Sequence, residues 1–230
     1  MREHRSASAN ARIGRSQAAD ARLDQGSRAL LAELARLIEA WPGLVSRPAA
    51  ELIDDSLVLA AHVADARRLV DVGSGGGLPG LPLKIVRPDL EVTLIEADRD
   101  KAAFLVQAAA RLDLRGVEVL AVRAEDAGRD PRYREAFDVA VARALAPMPT
   151  LVELCLPLVR VGGRLLAQKT EKEDVARAAR AVELLGGRLG AAIGAASKAR
   201  ASGVIVVVDK VGPTPRSYPR RPGMPARKPL

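Results

Sequence analysis

Residues 69–86 read LVDVGSGGGLPGLPLKIV, which sets a carboxylate, Asp71, against a run of glycines. Gly73, Gly75, Gly76 and Gly77 fall within five residues, and Gly80 follows between two prolines. So much glycine costs folding entropy, and what it gains is a backbone that a ligand can approach closely. Two ligands fit the spacing. Gly75-x-Gly77-x-x-Gly80 matches the dinucleotide fingerprint, a weak signal when it stands alone. Read from Asp71, an acidic residue ends a strand, and Gly73-Ser74-Gly75-Gly76-Gly77 follows as G-x-G-x-G. That is the turn of S-adenosylmethionine-dependent methyltransferases. A pyrophosphate wants a helix N-terminus, whereas S-adenosylmethionine carries an amino acid group and a sulfonium cation. The carboxylate of Asp71 suits the cationic ligand and would oppose the pyrophosphate.

Three further positions bear on the same crevice. Glu96 lies 23 residues after Gly73 and closes the next apolar run. A carboxylate there can accept both ribose hydroxyls, whichever ligand binds. Ala124-Glu125-Asp126 follows the third strand. It reads either as an adenine contact or as the acidic first turn of a helix, favoured by the helix dipole. Arg143 follows FDVAVA at the mouth of the crevice, where the alternative is a solvated surface arginine.

The elements that must hold these residues can be read from periodicity. Residues 1–22 are polar and carry Arg2, Arg5, Arg12, Arg15 and Arg22, which predicts a flexible basic arm. Residues 23–66 form a helical extension. Leu30, Leu34, Leu37, Ile38 and Trp41 recur at helical spacing until Pro42-Gly43, and a second helix starts at Pro48. Over residues 67–210 short apolar strands alternate with helices. The strands are expected at 69–72, 92–96, 117–122, 137–142, 164–168, 188–193 and 204–209. Helices are expected at 79–86, 99–112, 148–159 and 172–185. This α/β alternation with apolar strands implies a mostly parallel, doubly wound sheet. The last two strands, with no helix between them, form an antiparallel hairpin at the sheet edge. Residues 211–230 hold six of the 15 prolines and cannot continue the fold regularly.

Composition narrows the class. The 230 residues are 48% hydrophobic and 28% charged, which is globular, with a net charge of +8 that fits a polyanionic partner. Aromatics are only 2%, so Leu, Val, Ile and Ala must build the core. One cysteine and two histidines give neither a disulfide nor a metal site. No apolar run is long enough to span a bilayer, and no secretory signal opens the chain, so the expected compartment is the cytoplasm.

Over residues 30–230 the chain resembles the small-subunit ribosomal RNA guanine-N7 methyltransferases of the G type, the glucose-inhibited division protein B family. The resemblance rests on LVDVGSGGGLPGLPLKIVRP, LIEADRDKAAFL, RAED, FDVAVARALAP, GGRLLAQK and the ending YPRRPGMPARKPL. It implies a class I S-adenosylmethionine-dependent methyltransferase (Rossmann-like) fold with a helical N-terminal extension. It implies S-adenosylmethionine as donor, and methyl transfer to N7 of the guanine numbered 527 in 16S rRNA. The partner is then 16S rRNA or the small ribosomal subunit, with a monomer as the default state. By position, Gly73 and Leu78 would line the donor pocket, Glu96, Ala97 and Asp98 the ribose side, and Ala124 and Glu125 the adenine side. Arg143 would sit near the donor and the incoming base, and Lys169 would meet RNA. Four departures lie outside the donor turn. The Asn-Leu-Thr element after Trp41 is missing, Leu52 replaces a histidine, Leu145 a phenylalanine, and Gly203-Val204 an Arg-His pair.

Guanine N7 has a free lone pair, so no general base is needed, and proximity and alignment can carry the reaction. The methylated ring gains positive charge, so Arg143 belongs on O6 or a phosphate and not on N7. Other readings stay open: a methyltransferase for another RNA or a small molecule, a donor-binding assembly protein without turnover, or a dehydrogenase. The tail from Tyr218 holds Arg220, Arg221, Arg227 and Lys228 and no acid. It is expected to neutralise phosphates beside the crevice, and its removal is expected to leave folding and donor affinity intact.

Overall fold

The computed structural model describes residues 23–230, so the arm expected at 1–22 lies outside the described residues. Helix α1 (Gln25–Ala40) starts where Asp24 accepts a hydrogen bond from the Ser27 N–H at 2.7 Å, a side-chain N-cap. Leu31, Leu34 and Ile38 then fall on one face and are buried. Trp41 ends the helix and meets Phe104 edge-on, with ring centroids 5.5 Å apart. Helix α2 (Ala49–Leu57) follows Pro48, as the spacing predicts, and buries Leu52 and Ile53.

From Arg68 the chain alternates strand and helix. The elements are β1 (Arg68–Val72), α3 (Gly80–Val86), β2 (Glu91–Ile95), α4 (Arg99–Arg111), β3 (Val117–Leu120) and α5 (Ala124–Ala127). Then come β4 (Phe137–Arg143), α6 (Met148–Cys155), β5 (Val159–Thr170) and α7 (Ala179–Leu184). The strands β6 (Gly187–Leu189), β7 (Ile193–Gly194) and β8 (Gly203–Lys210) complete the sheet. Its order is β3-β2-β1-β4-β5-β8-β6, with β7 also on β8. The pairs from β3 to β5 are parallel, and β8 runs antiparallel to β5, β6 and β7. The final strands are therefore antiparallel, as expected, but β8 is an interior strand and not an edge. Its sequence GVIVVVDK is apolar enough to be covered on both faces.

Alternation within the strands divides the core. Leu69, Val139, Val141, Leu166 and Ile205 face α1, α2 and α3. Val70, Val72, Ala140, Ala142 and Leu165 face α6 and α7. The helix expected over 148–159 stops at Cys155, because Pro157 falls in a tight 3₁₀ turn over Leu156–Leu158. Strand β5 then begins at Val159, five residues before the apolar pattern predicts. A side chain at Gly163 would place its Cβ 2.5 Å from the Asp138 carbonyl, so only glycine lets β5 pass β4 there.

Residues 211–230 are not a separate tail. Thr214, Pro219 and Pro225 are buried. The Arg134 guanidinium donates to the carbonyls of Thr214 at 2.7 Å and Tyr218 at 2.8 Å, and Arg129 Nε donates to that of Pro219 at 2.8 Å. Prolines remove N–H donors but keep their carbonyls, so arginines from the domain take the place of a strand partner. The short helix α8 (Met224–Arg227) sits over α6, where Thr150 Oγ1 donates to the Pro225 carbonyl at 3.0 Å.

Candidate active site

The sheet order reverses between β1 and β4, and in open α/β sheets the carboxyl ends of the strands at such a switch point are where ligands bind. Asp71, next to last in β1, is fully buried beneath it. Its Oδ2 accepts the Gly80 N–H at 2.8 Å, while Oδ1 has no partner. Burial pushes this carboxyl up to about 7, against the opposing pull of the Gly80 N–H and the Arg143 charge.

Above Asp71 the glycine turn is tied to β2. The N–H groups of Gly73 and Ser74 both donate to the Ile95 carbonyl, at 2.9 and 3.1 Å. The Ser74 hydroxyl points back to the Asp71 carbonyl at 2.9 Å and is buried, so it serves the turn. Gly73, Gly75 and Gly77 take left-handed φ values of 72°, 53° and 80°. A Cβ at Gly77 would collide with Leu81, and one at Gly73 would lie 2.5 Å from Leu145 Cδ1. At Gly75 it would meet nothing within 4 Å, which marks the open side of the turn. Leu78 is buried, so its side chain supports the turn from below.

Glu96 stands just past β2 and bridges the turn to the next loop. Its Oε2 accepts the Gly75 N–H at 2.9 Å and its Oε1 the Asp98 N–H at 2.8 Å. Each oxygen keeps a lone pair for a further donor. Ala97 and Asp98 are exposed beside it, and the Asp98 carboxylate caps α4 through the N–H groups of Asp100 and Lys101. Ala124 opens α5. Glu125 is buried, and its carboxylate accepts the Gly223 N–H at 2.8 Å, so that side chain fastens the C-terminal segment.

Arg143 is not a solvated surface arginine. It is half-buried at the end of β4, in register with Gln168 on β5. Burial lowers its pKa, with the carboxylates of Asp55 and Asp71 pulling the other way and Arg200 adding to the fall. Its Nε has no partner. Lys169 is held within the protein and does not stand free for RNA. Its Nζ donates to the Ala146 carbonyl at 2.5 Å and lies 3.3 Å from Glu173 Oε2. Glu173 Oε1 in turn accepts the Met148 N–H at 2.8 Å. Lys169 thus fastens the loop between β4 and α6.

Sequence reasoning missed the polar cluster on the far side of Arg143. Asp55, on α2, is buried, and its Oδ1 accepts from Ser197 Oγ at 2.5 Å and Arg200 Nη2 at 3.0 Å. The Asp55 carbonyl accepts Gln168 Nε2 at 2.7 Å. The one signal was Gln168, which lies inside GGRLLAQK but without an assigned partner. Arg47 adds a second tie, its Nη1 donating to the Ala199 carbonyl at 2.7 Å.

Known proteins resemble this chain over most of its length. A family model described as rRNA small subunit methyltransferase G matches residues 45–199. A protein named Ribosomal RNA small subunit methyltransferase G from Roseiflexus sp. (strain RS-1) is 44% identical over 222 residues, 91% of this chain and 94% of its own. One of the same name from Moorella thermoacetica is 48% identical over 177 residues, 76% of this chain and 74% of its own. Among solved structures, the O-methyltransferase TomG from Streptomyces achromogenes, in complex with SAM, has a TM-score of 0.56 at 20% identity. That match covers 83% of this chain and 92% of TomG. A precorrin-6y C5,15-methyltransferase from Geobacter metallireducens has a TM-score of 0.50 at 11% identity, covering 75% and 92%. At such identities the structures speak to the fold, which is the class I methyltransferase fold.

Proposed function

The chain belongs to the rRNA small subunit methyltransferase G family, and on that footing we propose that it methylates N7 of the guanine numbered 527 in 16S rRNA. It is an S-adenosylmethionine-dependent enzyme. The donor supplies an electrophilic methyl group on a sulfonium. The residues present fit that group. The observation that carries the reading is the Gly80 N–H, the first of α3, which donates to Asp71 Oδ2 at 2.8 Å. A dinucleotide pyrophosphate needs that helix start, and here it would meet a carboxylate. A cationic amino acid moiety gains from the same carboxylate, whose Oδ1 is still unpaired.

Each residue then has work to do. Asp71 supplies negative charge beneath the turn. Gly73, Gly75 and Gly77 keep the backbone low enough for close approach, and Glu96 accepts from ribose hydroxyls with its remaining lone pairs. Ala97 and Asp98 flank the ribose, and Ala124 and the backbone at Glu125 flank the adenine. Arg143 directs its guanidinium at O6 of the target base or at a phosphate. Lys169 positions the loop that follows Arg143. No general base is required, since N7 attacks through its own lone pair. Alignment of that lone pair with the methyl group is the main contribution, worth roughly 7–11 kcal/mol in well-oriented systems. The substrate is 16S rRNA or the small subunit containing it, which sets the work in the cytoplasm.

The test uses small-subunit particles from a strain lacking this activity. After incubation with the protein and donor, reduction and aniline treatment should cleave the 16S rRNA at the target guanine. No cleavage in the presence of folded, donor-binding protein would overturn the assignment.

A further inference from the structure

Among the described residues, three buried side-chain atoms have no hydrogen-bond partner: Asp71 Oδ1, Arg143 Nε and Gln168 Oε1. They stand together. Their residues lie at the carboxyl ends of the adjacent strands β1, β4 and β5. Asp71 is in register with Val141, two residues before Arg143, and Arg143 is in register with Gln168. Side chains alternate along a strand, so all three lie on one face, the face that α2 covers. Buried polar groups are ordinarily paired. Three gaps side by side mark a place where a ligand brings the missing partners.

The chemistry of two of these atoms is fixed. Gln168 Nε2 donates to the Asp55 carbonyl, and a carbonyl can only accept, so the amide cannot be turned round. Its Oε1 is therefore an acceptor. Arg143 can only donate. Asp55 is itself locked by Ser197 and Arg200, which fixes Gln168 in place. We propose that Gln168 determines specificity for guanine, accepting a hydrogen bond from N1–H while Arg143 donates to O6. This inference rests on the reading of the chain as a guanine-N7 methyltransferase.

Atom order supports it. Around the edge of guanine, N7 is followed by O6 and then N1–H. Across the sheet, the donor turn on β1 is followed by Arg143 on β4 and then Gln168 on β5. With N7 at the donor, acceptor meets donor at O6 and donor meets acceptor at N1. Adenine in the same pose would set its amino group against the guanidinium and its N1 lone pair against the amide oxygen. Both contacts are repulsive. Sites built to hydrogen-bond a substrate group reject analogues that lack it, and flipped bases are commonly read on this edge.

The experiment compares small-subunit particles carrying guanosine or 1-deazaguanosine at the target position, where C–H replaces N1–H without added bulk. Wild-type kcat/KM is expected to fall about 10- to 100-fold on the analogue, the range for one unsatisfied buried acceptor. Gln168→Leu should lose a similar factor on guanosine, lose less than about threefold more on the analogue, and keep its S-adenosylmethionine affinity. Equal wild-type rates on both nucleotides would overturn the proposal, as would losses that multiply. If Gln168→Leu loses donor affinity too, the wild-type comparison decides alone. A wild-type protein inactive on guanosine itself would sink the activity, and the Gln168 assignment with it.

Discussion

Replacing Arg220 with alanine is expected to cost about 3–5 kcal/mol of stability, the range for removing one partner of a buried ion pair. The figure follows from what the guanidinium faces. Glu153, on α6, has no exposed side-chain surface, and Arg220 is 21% exposed. Arg220 Nε donates to Glu153 Oε1 at 2.9 Å and Oε2 at 3.2 Å, and Nη2 donates to Oε2 at 2.6 Å. After truncation only the Arg220 backbone N–H, 2.9 Å from Oε1, remains to that buried carboxylate. A chain of this size loses about 2–4 °C per kcal/mol, so Tm should fall by roughly 6–20 °C. Thermal and urea unfolding followed by circular dichroism would measure it, with exposed Arg216→Ala as the control, expected within about 0.5 kcal/mol of wild type. Combining Arg220→Ala with Glu153→Met should recover much of the loss, because an apolar replacement removes the stranded charge. S-adenosylmethionine affinity should weaken in the single variant, since the same segment delivers the Gly223 N–H to Glu125. A loss below about 1 kcal/mol, equal to that of Arg216→Ala, would refute the argument. It would return residues 211–230 to the detachable tail that their composition predicts.

Glu96→Ala should weaken S-adenosylmethionine binding by about 1–3 kcal/mol in calorimetry, through lost charge-assisted hydrogen bonds; an unchanged Kd in a folded variant would remove Glu96 from the site. Donor binding should also release a proton, because a nearby cation favours ionised Asp71, whose carboxyl is pushed up to about 7 when no ligand is bound. Kd should therefore tighten as pH rises from 6 toward 8. The neutral form favours the folded state fully below about 4, the unfolded value, and that contribution is lost as pH rises through about 7. Calorimetry in buffers of different ionisation enthalpy at pH 6.5 would count the protons, and a count of zero would exclude Asp71 from the coupling.

The donor half of the crevice was legible in the sequence because local rules write it. Apolar runs, the acid at Asp71, left-handed glycines and the carboxylate at Glu96 all act within short stretches of chain. The half beyond Arg143 was not. Asp55 and Arg200 are 145 residues apart and meet only through the folding of α2 onto β5 and β8. Nothing in the periodicity of either segment names the other. The family resemblance implies that Lys169 meets RNA, yet Ala146 and Glu173 hold it inward. The C-terminal prolines signalled irregular chain correctly. Irregular chain can still be ordered when arginines elsewhere bond its carbonyls, and composition alone does not reveal that.

The ties between early and late residues also govern when the protein becomes competent during its synthesis. Asp55 emerges long before Ser197 and Arg200, and Glu125 before Gly223. A nascent chain made only as far as β5 would carry the glycine turn and Glu96. It would lack the restraint on Asp55 that fixes Gln168, and the N–H that Glu125 accepts. Contacts this distant in sequence close large loops and form late. The glycine turn and its tie to Glu96 can therefore form before the Asp55 cluster and the Glu125–Gly223 contact, both of which wait for chain beyond β5.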